Sequence, residues 1–129
     1  MPGIGELIAN FFCAKAPDGA LNAAQSWLKL TDGNDVSQSW LEASSFFKSV
    51  VPQQQWEAGF VSRRAPLGSV VSRKIISTSL KKAKSGMPDG QYVTIKYHTE
   101  FSNKKKAEEF LELMLDDDGL WRVCGYFFK

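Results

Sequence analysis

Residues 89–129 read DGQYVTIKYHTEFSNKKKAEEFLELMLDDDGLWRVCGYFFK, and their reading decides the fold. Val93, Ile95, Tyr97, Thr99 and Phe101 alternate with Tyr92, Thr94, Lys96, His98 and Glu100. Alternation sends successive side chains to opposite faces of a strand, so one face is apolar and the other polar with an aromatic start. Ala107 to Leu115 sets Glu109, Leu111, Leu113 and Leu115 against Glu108, Phe110, Glu112 and Met114. Its Leu, Glu and Met favour helix by propensity. The polar turn before it and the Asp116-Asp117-Asp118-Gly119 turn after it decide for strand, because Asp-Gly suits a hairpin and Gly takes positive φ without a steric penalty. The last segment has Trp121, Val123, Gly125 and Phe127 on one parity and Leu120, Arg122, Cys124, Tyr126 and Phe128 on the other. Both are apolar-rich, which predicts a strand that is central or covered on both faces.

Upstream the period changes. Ala20 to Leu30 repeats Leu21, Ala24, Trp27 and Leu28 at helical spacing and is stopped by Thr31-Asp32-Gly33. A second helix is predicted from Val36 to Val50, capped by Asn34 or Asp35, with Gln38 completing a loose capping box. Pro52 restarts the chain into a third helix, Gln53 to Arg64, with Trp56, Phe60 and Val61 turned inward, and Ala65-Pro66-Leu67-Gly68 breaks it. Ser69 to Lys82 is a long strand without a clean face, a pattern that calls for a bend or a bulge. Helices followed by hairpin-linked strands predict an α+β fold. Three N-terminal helices would pack on a curved four-stranded antiparallel sheet, a cone-like roll. Trp27, Trp40 and Trp56 would anchor the helix layer to the sheet, and a hollow between the layers would be the place for a ligand. Residues 1–19 are a lead-in and residues 20–129 one domain. The lead-in lacks the basic start and long apolar centre of a secretory signal.

The chain of 129 residues is long enough for one core, and its 43% hydrophobic content argues against disorder. A formal charge of +2, from 16 basic and 14 acidic side chains, gives no electrostatic case for nucleic acid. No apolar run is long enough to span a membrane. Cys13 and Cys124, with one His, have no metal-ligand spacing, so two unpaired thiols are preferred over a disulfide between them, and no metal or cofactor is expected.

Several residues could carry chemistry. His98 and Glu100 share a strand face and could form an acid–base pair, but that face is polar and a solvated pair explains it better. Arg63, Arg64, Arg73 and Arg122 could form an anion-binding cluster in the hollow, or structural ion pairs, the reading preferred here. Arg122 would draw on Glu112 or Glu100. Tyr92, Tyr97 and Tyr126 could line the hollow, yet no aspartate lies inside a strand to serve as a buried base. The lysine runs at Lys81-Lys82-Ala83-Lys84 and Lys104 to Lys106 read as solvated turn charges. The ligand-binding candidates are therefore Arg63, Arg73, Tyr97 and Arg122, with no catalytic residue assigned.

The chain resembles the bacterial family known as domain of unknown function 4019. The resemblance is carried by Ser39-Trp40, Phe47-Lys48, RRAPLG at Arg63 to Gly68 and VVSRK at Val70 to Lys74. It continues through PDGQYV at Pro88 to Val93, FSNKK at Phe101 to Lys105 and WRVCGYF at Trp121 to Phe127. It implies a small protein, often exported to the periplasm in Gram-negative bacteria, with no assigned activity. The order of elements is also similar to the nuclear-transport-factor-2-like cone, which hosts isomerases, dehydratases, binding domains and dimerisation modules. The expected function is a non-enzymatic small ligand-binding or protein-interaction domain, dimerising through the outer sheet face where Tyr92 and Tyr126 are exposed. The alternative is a cone-fold enzyme of isomerase or dehydratase type acting in the hollow.

Overall fold

The computed structural model describes residues 16–82 and 86–129. The readings made for the lead-in before Ala16, for Cys13 and for Ala83-Lys84 lie outside them.

Helix α1 spans Asp18–Asp32 and begins after Pro17, whose carbonyl accepts from the N–H groups of Ala20 and Leu21. It buries Ala20, Ala24, Trp27, Leu28 and Thr31, one stripe at helical spacing. The chain turns at Asn34, with φ 59°, one residue beyond the glycine expected to stop it. Asn tolerates this left-handed conformation better than most residues.

The second predicted helix is two. Helix α2 spans Val36–Leu41 and α3 spans Ser45–Val50. The break is made by Ser44, which is extended and accepts from the N–H of Phe47 on its hydroxyl. Its own N–H donates to the Val123 carbonyl at 2.8 Å, so the break caps α3 and covers a sheet edge at once. Gln38 donates to Glu42 rather than closing a capping box.

Helix α4 spans Gln53–Gly59 and runs into a π-turn at Phe60–Arg64, where the Ala65 N–H reaches back to the Phe60 carbonyl. The widened turn puts Phe60 and Arg64 inside and leaves Val61, expected inside, 65% exposed. A 3-10 turn at Ala65–Leu67 ends at Gly68, with φ 85° and ψ −158°. Only glycine takes that conformation readily. This corner is pinned to the next hairpin: Asn103 N–H donates to the Leu67 carbonyl and Ser69 N–H to the Ser102 hydroxyl.

Four strands form an antiparallel meander in the order β1-β2-β3-β4: Val70–Lys81, Tyr92–Phe101, Lys104–Leu115 and Trp121–Phe128. The helix-facing side carries Val93, Ile95, Tyr97, Thr99 and Phe101 from β2, as its alternation predicts, and Ala107, Glu109, Leu111 and Leu113 from β3. Strand β1 has register shifts at Val71 and Ile76, which is how a strand without a clean face presents Arg73 and Ile75 beside Thr99 and Tyr97.

Strand β4 departs from expectation twice. It lies at an edge of the sheet and not at its centre, its edge covered by the α2–α3 break, although Val123 to Gly125 are buried as the covered alternative expects. A register shift at Cys124 then reverses its parity, so Val123 and Tyr126 both join the core while Phe127 is 56% exposed. Cys124 is buried with Tyr92 and Met114 under Phe46 and Met87. Tyr92, expected to be exposed, is therefore covered.

Trp27, Trp56 and Tyr126 fill much of the space between helices and sheet, with ring centroids 5.4–6.5 Å apart. Each buried ring of this size contributes up to about 3 kcal/mol by transfer from water. Their indole N–H groups are satisfied at Ser39: Trp27 at its carbonyl and Trp56 at its hydroxyl. Trp40 is not a helix-to-sheet anchor. It donates to the Val51 carbonyl and braces the α3–α4 link.

Candidate functional site

The feature that the core is built around is a chain of buried charges. Glu109 occupies the leucine register of β3 and is fully buried. Its Oε1 accepts from Arg73 Nε at 2.7 Å and from Thr99 Oγ1 at 2.5 Å. Its Oε2 accepts from Arg73 Nη2 at 3.2 Å and from the Tyr126 hydroxyl. The far side of the Arg73 guanidinium grips Asp32, at the end of α1, at 2.7 and 3.0 Å. Asp32 also accepts from Arg64 Nη2 at 3.1 Å, and Arg64 Nη1 donates to the Gly68 carbonyl. The Arg64 guanidinium lies over the Phe101 ring, 4.5 Å from its centroid.

Two cations alternate with two anions, so the interior carries no net charge from this chain. The alternation offsets the desolvation that would make any one member costly. Burial pulls the Arg73 pKa down, but its bonds to Asp32 and Glu109 outweigh that and hold it above its ordinary value. Burial raises Tyr126, and the neighbouring Glu109 charge raises it further, so its hydroxyl stays a proton donor. Burial likewise pushes Tyr97 up to about 12, against the pull of Arg73.

Two cavities flank this chain. One, of about 450 Å³, lies between α1 and strands β1 and β2, lined by Leu28, Lys29, Asp32, Arg73, Ile75 and Tyr97. The other, of about 300 Å³, lies between α4 with its π-turn and the end of β4, lined by Trp56, Phe60, Arg63, Arg64, Tyr126 and Phe128 among others. A third and larger hollow of about 670 Å³ opens among α1, the α2–α3 break and the β3–β4 turn, and includes Trp27, Lys48, Asp118 and Arg122.

The residues singled out from the sequence are thus distributed among three places. Arg73 and Tyr97 share the first cavity, the guanidinium carbon 5.9 Å from the phenol centroid. Arg63 lines the second and Arg122 the third. Arg122 does not use Glu112 or Glu100. It binds Asp118 through two nitrogens at 2.8 Å and Asp116 at 3.1 Å. The hairpin turn folds back onto the strand it starts, whereas Glu112 stands opposite Gly125, three residues further along β4. The Arg122 hydrogen bonds hold the Asp118 carboxyl down at about 2. Burial would raise Asp116, but bonds from Ser45, the Asp117 N–H and Arg122 bring it below the usual carboxylate range. His98 and Glu100 stand half-exposed on the outer face, opposite Lys74 and Ser72 of β1.

Asp32, Thr99 and Glu109 are the members that the sequence reading did not assign to a site. Two signals were present. A carboxylate in the leucine register of β3 demands a buried partner. An aspartate at the last turn of a helix opposes the helix dipole and must be held by cations elsewhere. Among the described residues no three His, Cys, Asp or Glu side chains gather to hold a metal ion, and no helix is long and apolar enough to cross a membrane.

A family model described as protein of unknown function (DUF4019) matches residues 23–126. The chain belongs to the DUF4019 family. No curated protein matches it. In this DUF4019 chain the matched span runs from inside α1 to Tyr126, so every member of the buried charge chain falls within it.

Proposed function

We propose that this DUF4019 domain is a small ligand-binding or protein-interaction domain and not an enzyme. The saturation of its one fully buried carboxylate among the described residues, Glu109, carries this reading. Glu109 accepts four hydrogen bonds and Asp32 three, all but two of them from arginines. A general base needs a free lone pair within reach of a substrate proton. Glu109 has its acceptor sites committed to Arg73, Thr99 and Tyr126, and Asp32 has most of its own committed to Arg64 and Arg73, an arrangement that organises cavity walls. The aromatic filling between helices and sheet supports the same reading, since it leaves the cavities at the flanks. The helices lying on one side of the meander support a cone-like roll as the finer description of the fold.

An interaction role has its own support on the outer sheet face. Phe127 is exposed there, and Phe110 lies beneath the ammonium groups of Lys96 and Lys129, 5.7 and 5.6 Å from its centroid. A homodimer through this face would appear in light scattering as a doubled mass that Phe127→Glu halves.

The binding reading is tested by incubating the protein with a mixture of small metabolites and weighing bound and free compounds by mass spectrometry. Compounds retained with unchanged mass are the expected result. Depletion of a compound with appearance of a product, lost in Glu109→Gln, would overturn it in favour of an isomerase- or dehydratase-like enzyme.

A further inference from the structure

We infer that the cavity between α4 and the end of β4 is a binding site for a small planar aromatic carboxylate, an assignment that rests on the binding reading above. Three observations carry it.

The first is the wall. Trp56, Tyr126 and Phe128 present ring surface, with Phe60 beneath them, around about 300 Å³, the lower end of the range for sites that enclose a small molecule. Trp56 and Tyr126 stand steeply to each other, at 70°, which forms a corner rather than a flat shelf. A flat aromatic body meets one ring by stacking and the other by its edge, the two arrangements that ring quadrupoles favour.

The second is the leftover donor. Arg64 lines this cavity and is 3% exposed, yet its Nε N–H has no hydrogen-bond partner among the described residues. Its Nη atoms are used at Asp32 and Gly68. Almost every buried polar atom in a folded protein is satisfied, and an unpaired donor on a charged group is among the costlier exceptions. The Nε atom is itself closed off from solvent, so an acceptor brought by a ligand relieves it only where the Arg64 side chain shifts toward the cavity.

The third is the charge balance. Arg64, Asp32, Arg73 and Glu109 cancel one another. Arg63 also lines the cavity, is exposed, and makes no ion pair or hydrogen bond among the described residues. The site therefore carries one uncompensated positive charge beside an apolar interior. Guanidinium recognises carboxylate through paired N–H donors, so a carboxylate on a flat apolar body satisfies wall, donor and charge together.

The chain supplies its own blocking variant. Gly59, at the end of α4, lines the cavity with ordinary helical angles, φ −63° and ψ −39°. A Cβ built on it meets nothing within 4 Å. Gly59→Leu therefore adds bulk at the cavity wall without a clash at Cβ and also improves helix propensity, so the fold is preserved.

The test titrates indole-3-acetate, indole-3-acetamide and tryptamine into the protein while following heat by calorimetry. Saturable binding of the acetate is expected, with the amide and the amine weaker by about tenfold or more, the ratio that one hydrogen bond to a charged partner supplies. Arg63→Gln should weaken the acetate by a similar factor and leave the amide unchanged, and Gly59→Leu should abolish binding of all three. No saturable binding of the acetate at millimolar concentration, or equal affinity for acetate and amide, or binding unaffected by Gly59→Leu, would overturn the site. The binding reading is judged separately. It fails if mass spectrometry finds any probe or metabolite converted, and it survives an empty aromatic cavity if a different compound is retained unchanged.

Discussion

Glu109→Gln probes the buried charge chain most directly. The substitution keeps side-chain shape and removes one charge, so Arg64, Asp32 and Arg73 are left with a net positive charge in the interior. It also sets donors against donors. On the Oε1 side the amide would meet Arg73 Nε and Thr99, and on the Oε2 side Arg73 Nη2 and Tyr126. The two hydroxyls can turn to accept, but guanidinium has only donors, so either amide orientation faces one N–H it cannot satisfy. Breaking one side of a buried ion pair costs about 3–5 kcal/mol. A domain of this size is stable by about 5–15 kcal/mol, so the variant should fold and yet lose a large share of its margin. Urea unfolding should show the midpoint lowered by about 1–5 M at a slope of roughly 1–3 kcal/mol/M. Arg73→Met should cost a similar amount. The double variant should cost less than the two losses combined by about 2 kcal/mol, because the second change removes a charge the first has already orphaned. Added salt should leave that coupling nearly unchanged, since buried pairs are poorly screened. A Glu109→Gln protein within about 1 kcal/mol of wild type, or strictly additive losses, would refute the argument that this chain holds the core together.

Four further outcomes follow from the geometry. Gly68→Ala should destabilise by more than about 3 kcal/mol, because its Cβ would sit 2.0 Å from the Ser102 hydroxyl on a backbone that only glycine adopts readily, and thermal unfolding reads the loss. Ser44→Ala removes the cap on the Phe47 N–H and should cost about 1 kcal/mol in the same assay. At alkaline pH the unfolded chain ionises Tyr97 from about 10 while the folded chain holds it to about 12, so stability is intact below pH 10 and falls by up to about 3 kcal/mol as pH rises to 12; Tyr97→Phe should flatten that part of the urea-midpoint profile. At acid pH Asp116 and Asp118 titrate low, so their contribution is present above pH ~4 and is lost as pH falls toward 2, and Arg122→Met should return the Asp118 titration, followed by carboxyl NMR, from about 2 to the ordinary value near 4.

What the sequence made legible was whatever depended on neighbours in the chain. The parity of β2 could be read because its whole core-facing side, Val93 to Phe101, is regular in burial. The same count failed on β4 after Cys124, where one extra residue exchanges the faces, and on α4, where one widened turn exchanges Val61 for Arg64. A bulge or a π-turn inserts a residue that periodicity cannot register, since each leaves the local composition unchanged. The charge chain was half visible for a related reason. Glu109 could be placed on the buried side by counting, but its partners come from α1, β1, β2 and β4, and only the assembled sheet brings them together. The meander order does constrain the answer. Arg73 stands beside Thr99, and Glu109 stands beside Tyr97, so the two charges sit diagonally across one strand of apolar neighbours. A core-facing glutamate on one strand and a core-facing arginine two strands away have few other ways to be neutralised. The pairing that holds the fold is thus the one that sequence order and electrostatics permit once the register is known.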